Sequence, residues 1–127
     1  NNHHTRNDNR TGLNLSETVS FDCDLAEMYE LSRQSAGVIS LASGLAVFLT
    51  AVGKQMDLIY TDYNKVDSTQ MKEIYSVYHL PNIDKDKIKE YDAGLYSPDE
   101  LAEMINKINS NNFNKTNQYK NNICKTV

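Results

Sequence analysis

The sequence predicts an all-α protein, one long amphipathic helix over about residues 25–64 packed with two or three short helices between disordered polar termini. Three observations carry that prediction. Gln34 to Gly53 reads QSAGVISLASGLAVFLTAVG, the one long segment without a charge. On a helix, Val38, Leu41, Leu45, Phe48, Val52, Met56 and Ile59 follow one another at steps of three or four and form a single stripe. No alternating strand pattern recurs, and no repeat appears at any useful period.

The elements follow in order. Residues 1–15 are polar and Asn-rich and read as a disordered leader. Asn1-Asn2-His3 has the nitrogen-rich form that wraps Cu(II) or Ni(II) in a square plane when Asn1 is the true terminus; a solvated tail is the plainer reading, and no metal or cofactor is expected. Asp24 with Glu27 makes a capping-box pair, so the long helix starts near Leu25. Its stripe begins at Leu31 and runs through Tyr60 and Tyr63. Gly37, Ser40 and Gly44 lie on the small-residue side and suit close contact with another helix. Asp67 and Ser68 cap a second helix carrying Met71, Ile74, Tyr75 and Tyr78, stopped by Pro81. Residues 82–93 read as a short charged helical turn closed by Gly94. Ser97-Pro98-Asp99-Glu100 is the clearest helix start, ahead of Leu101, Met104, Ile105 and Ile108. The expected organisation is a leader over 1–15, a helical domain over 16–109 and a flexible Asn-rich tail over 110–127.

At 127 residues the chain holds at most one ordinary domain, and 39% hydrophobic content makes a thin core. Seventeen acidic against thirteen basic residues give a net charge of −4 with no basic cluster, which argues against nucleic acid. Cys23 and Cys124 fit two thiols better than a bridge, and the redox compartment stays open. No amino-terminal signal peptide is seen ahead of the first apolar run, so localisation is left open, with secretion requiring a route without a cleaved leader.

Chemistry-bearing motifs are absent. There is no GxSxG, Gly-rich phosphate loop, HExxH or Cys-His-Asp set, and an enzyme is not expected. Asn82, Asp84, Asp86 and Glu90 begin like a calcium loop, but Lys87 stands where Gly is required and Ala93 where the bidentate Glu belongs. His79 reads as a helix-end residue, and Tyr60, Tyr63, Tyr75, Tyr78 and Tyr91 as packing tyrosines with wet hydroxyls.

DLAEMYEL, the small-residue apolar segment and then GKQMDLIYTDYNKV together resemble the first long helix of the secreted filament and translocator proteins of bacterial type III secretion. The likeness spans residues 22–66, with Gln55, Met56, Asp57 and Leu58 as the Gln-x-Asp-Leu-like run. It implies a secreted component that assembles by coiled-coil helices. Those proteins continue into a second long carboxyl-terminal helix, where this chain shows an Asn-rich tail.

The expected function is therefore non-enzymatic: self-association, or capture of another helical protein, through Val38, Leu41, Leu45, Phe48, Val52, Met56, Ile59 and Tyr63. The physical reason is that the short helices cannot cover such a stripe, and apolar area left in water forfeits about 25 cal/mol per Å². Two alternatives stand beside it. One is a membrane-active translocator or pore former that inserts residues 34–53, which has the length of a span. The other is an acidic immunity or inhibitor-type partner protein.

Overall fold

The computed structural model describes residues 19–126, with side chains to Asn112. The fold is mixed α/β, not all-α. The expected helix over 25–64 is replaced by α1 (Leu25–Gln34), β1 (Val38–Leu41), α2 (Gly44–Leu49) and β2 (Met56–Tyr60). Then come α3 (Ser68–Tyr75), β3 (Ile88–Asp92) and α4 (Pro98–Thr126). The described residues divide into two compact units, one of residues 23–97 and one that holds residues 19–22 with residues 98–126.

Local chemistry explains why the long helix breaks. The capping box forms as the sequence suggests: the Glu27 amide donates to Asp24 Oδ1 at 2.8 Å, and the Asp24 amide to Glu27 Oε1 at 3.2 Å. After one short helix, the Ser35 hydroxyl donates to the carbonyls of Ser32 (2.6 Å) and Gly37 (3.1 Å), drawing the backbone off the helical path. The stiff, β-branched Val38 and Ile39 then favour extended backbone. Ser43 restarts a helix as N-cap, accepting from the Ala46 amide at 3.3 Å. A 3₁₀ turn over Thr50–Val52 follows, and Gly53 closes it at φ 77°, a left-handed conformation that glycine adopts without strain.

All three strands are parallel in the order β1-β2-β3. The register aligns Val38 with Met56 and Ile88, and Tyr60 with Asp92. Every residue of the central strand MDLIY is buried, Asp57 included, as in a strand covered on both faces. Met56, Leu58 and Tyr60 share one face and form the core with Ala46 and Leu49 of α2, Val77 and Ile88. Met28, Leu45 and Met71 pack at its margin. Both crossovers move the chain the same way across the sheet, and both contribute to this one face. The residues of the supposed interhelical stripe are thus divided among two strands, a short helix and the turns between them, with Met56 and Ile59 buried in the sheet and Leu41 and Tyr63 exposed.

The expected charged helical turn over 82–93 is also overturned, because residues 88–92 pair with β2 as a strand. In the second predicted helix, α3 stops at Tyr75, well before Pro81, and Val77–His79 forms a separate 3₁₀ turn. By itself, α4 starts at Pro98 with Asp99 and Glu100 in its first turn, and its backbone stays helical through the Asn-rich stretch to Thr126. The leader, with Asn1-Asn2-His3, lies outside the described residues.

Two carboxylates on β3 fix the helix above it. Asp92 accepts from the Ser68 hydroxyl, the Thr69 hydroxyl (2.5 Å) and the Gly94 amide (2.9 Å), which ties the start of α3 to the strand end. Burial alone would raise the Asp92 carboxyl; hydrogen bonds from Ser68, Thr69 and Gly94, with Lys72 nearby, outweigh it and hold the group below its ordinary range. Glu90 accepts from the Ser76 hydroxyl (2.6 Å), the Val77 amide (3.0 Å) and the Tyr60 hydroxyl (2.5 Å), which fixes the helix exit.

A Cβ placed on Gly94 would fall on the Ser68 hydroxyl, 3.2 Å from Asp92 Oδ1. Gly94→Ala therefore turns the serine off its carboxylate and costs about 1.5–3 kcal/mol, the range for a hydrogen bond to a charged group, read as a lower urea midpoint with unchanged slope.

Candidate binding cavity at the carboxyl ends of the strands

The loops that follow β1 and β2 leave from the carboxyl ends of these parallel strands. These loops enclose a cavity of about 450 Å³. Ala42, Ser43 and Gly44 form one wall at the exit of β1, continued by Ala46 and Val47 of α2. Leu58 and Tyr60 of β2 supply the floor, and both are fully buried. The remaining walls are Tyr63, Asn64 and Val66 of the β2–α3 connection, then Met71, Tyr75 and Val77.

The β2–α3 wall has a defined shape. Tyr63 and Val66 exchange both backbone hydrogen bonds at 2.9 Å, closing a two-residue turn. Asn64 (φ 47°) and Lys65 (φ 68°) both have positive φ, as a primed hairpin turn requires. Asn tolerates that conformation through its short polar side chain, whereas Lys is strained there. The base of the connection is held by the Ser68 amide donating to Asp62 Oδ1 at 2.7 Å.

The wall beyond the floor is held electrostatically. Tyr60 donates its hydroxyl to Glu90 and accepts from the Val77 amide at 3.2 Å, with the Tyr75 carbonyl also 3.2 Å away. The phenol is thus spent on the protein, and its pKa is pushed up by burial first and by donation to Glu90 second. Tyr91 rises likewise through burial and its 2.7 Å hydrogen bond to Asp57, and Tyr78 through burial and the Glu90 charge. No Asp, Glu, Lys, Arg or His lines the cavity. Among the described residues no group of three or more His, Cys, Asp and Glu side chains is placed to hold a metal ion.

The structure scatters the residues singled out in the sequence. Of the expected interaction set, only Tyr63 lines the cavity, and it is 68% exposed at the mouth. Met56 and Ile59 are buried; Val38, Leu45, Phe48 and Val52 are half-buried; Leu41 is exposed at the end of β1. Phe48 meets the Tyr29 ring of α1 at 5.8 Å between centroids, so it is engaged within its own unit. Gly37, Ser40 and Gly44 make no interhelical contact point: Gly37 precedes β1, Ser40 sits on β1 with its hydroxyl on the Leu41 carbonyl, and Gly44 opens α2 at the cavity wall. Sequence reasoning missed Ser43, Asn64 and Glu90 as site-building residues. Ser43, an N-capping residue type four positions after the β-branched pair Val38-Ile39, was the available signal for a strand-to-helix turn.

No family model, curated protein or solved structure matches the chain. The likeness to type III secretion filament and translocator proteins implies a continuous helix through residues 22–66, where the chain instead alternates helix, strand, helix and strand. A coiled coil is excluded for that span, and the secretion reading loses its structural basis. Among the described residues no helix is long and apolar enough to cross a membrane, and Gln34–Gly53 is divided between β1 and α2.

Two outcomes follow. Lys65→Gly relieves the turn and raises the unfolding free energy by about 0.5–1 kcal/mol in urea titrations. The raised tyrosines favour their neutral form in the folded protein, so their contribution is complete below the unfolded value near 10 and is lost as pH climbs above it. Unfolding free energies measured between pH 10 and 12 therefore fall with pH, and Tyr60→Phe makes that slope shallower by up to about 1.4 kcal/mol per unit.

Proposed function

We propose that this chain acts by binding and not by catalysis, and that it takes its ligand in the cavity at the carboxyl ends of β1 and β2. The observation that carries the proposal is the cavity itself: about 450 Å³ falls within the range of small-molecule sites, roughly 300–1,000 Å³. Its lining is mainly aliphatic and aromatic, with few polar groups. Its walls are held before any ligand arrives, because Glu90 pins residues 76 and 77 and the two-residue turn fixes Tyr63 and Val66. A wall ordered in advance lowers the entropic cost of binding. Within the cavity there is no nucleophile paired with a general base, since Ser43 already caps α2 and no titratable base lies among the lining residues. The recognition surface thus moves from the stripe expected over 38–63 to the enclosure between β1, β2 and α3.

Gly44 allows a clean test. A Cβ there meets no heavy atom within 4 Å, and glycine is the weakest ordinary helix former, so Gly44→Leu adds bulk at a lining position without a backbone clash. Nile red, an uncharged apolar dye, is expected to bind the wild-type chain with a blue-shifted emission and to bind Gly44→Leu at least about tenfold more weakly, the loss expected when about 1.4 kcal/mol of contact is blocked. Equal binding by both chains, at equal melting temperature, would place the dye elsewhere and remove the proposal.

A further inference from the structure

We infer that the cavity selects an uncharged ligand: a compact aromatic or alicyclic body bearing a neutral hydrogen-bonding group at the mouth. This rests on the binding proposal above and adds the chemistry of what is bound.

The charge argument comes first. None of the described residues lining the cavity is ionisable in the physiological range; Lys65 stands exposed in the turn at the mouth, outside the lining, and Glu90 is already committed to Ser76, Val77 and Tyr60. A carboxylate or ammonium entering this space would give up its water without gaining a counter-charge, which costs several kcal/mol. The chain's net charge of −4 adds repulsion against anions outside the cavity. An uncharged body meets none of these costs.

Shape and polarity then follow from the distribution of atoms. The floor, Leu58 and Tyr60, is fully buried, and the Tyr60 hydroxyl faces protein partners. The surface a ligand can touch is therefore supplied by the partly exposed lining, Ala42, Val47, Tyr63, Val66, Met71 and Tyr75, whose hydrocarbon and rings suit a compact apolar body. The uncommitted hydrogen-bonding capacity sits at the mouth. Asn64 occupies the turn, and Tyr63 and Tyr75 are 68% and 63% exposed, so a hydroxyl, amide or carbonyl of the ligand can be matched there without being buried unpaired. An apolar side chain presented by a partner protein is the competing occupant. The volume of about 450 Å³ is several times that of one side chain, which favours a discrete small molecule.

A matched series on one ring system tests this: 2-naphthalenemethanol, 2-naphthoate and 2-naphthylmethylammonium, titrated into the full chain and followed by chemical shifts of the backbone and methyl groups. The expected result is saturable shifts at residues 42–47, 63–66 and 71–77 with the alcohol, and affinity at least about 100-fold lower for both ions, in line with the cost of burying an unpaired charge. Equal or tighter binding of either ion at those residues overturns the charge selection while leaving the binding proposal standing. If none of the three shifts those residues in the wild type, the binding proposal falls, and this inference with it. Gly44→Leu, titrated in parallel, must lose the alcohol's shifts; shifts that persist unchanged show that the ring sits outside the cavity and count against the inference.

Discussion

Two carboxylates on one face of β3 decide how the crossover before that strand is placed. Asp92 gathers the first residues of α3, and Glu90 gathers the segment that leaves it. Each accepts three hydrogen bonds, so each charge is satisfied inside the fold, and removal of either would strand several donors at once. Because the two residues alternate with Tyr91 along the strand, they point the same way, and α3 is held at both ends by one short strand. The helix itself is only eight residues long with Ile74 and Tyr75 exposed, too little to fix its position by packing alone.

That placement produces the cavity. With α3 held at its ends, Met71, Tyr75 and Val77 line the cavity on one side and Ala46 and Val47 of α2 on the other. Glu90 also takes up the Tyr60 hydroxyl, so the polar group of this fully buried residue is satisfied inside the fold. Charge is kept behind the wall, and the enclosure in front of it remains neutral.

How much of this could be read from the chain depends on the range of the interactions. Asp24 with Glu27, Asp67 ahead of α3, and Ser97-Pro98 ahead of α4 were readable because a cap is decided within four residues. The strands were not. VISL and MDLIY are too short for apolar spacing to separate a strand from a helical turn, and their partners lie far away: Val38 pairs with Met56, and Met56 with Ile88. Steps of three and four between Val38 and Ile59 arose from two strands and a short helix read as one continuous turn of backbone. Ile88 to Asp92 misled in another way: with Lys89 and Glu90 inside it, it looks solvated, yet Glu90 is consumed by internal partners. The cavity had no sequence signature at all, since its lining comes from residues 42–47, 58–66 and 71–77, each unremarkable alone.

The long reach between β2 and β3 has a consequence for synthesis on the ribosome. When Tyr60 has emerged, β1 and β2 can pair, but the other edge of β2 stays open until Ile88 to Asp92 arrive. During that interval the fully buried central strand presents unpaired amides and carbonyls, together with Met56, Leu58 and Tyr60, to whatever is nearby. The wait ends only when Asp92 clears the exit tunnel and α3 can be tied down. Translational pauses between these points would prolong the exposure, and a holding chaperone would find its natural target in that single strand.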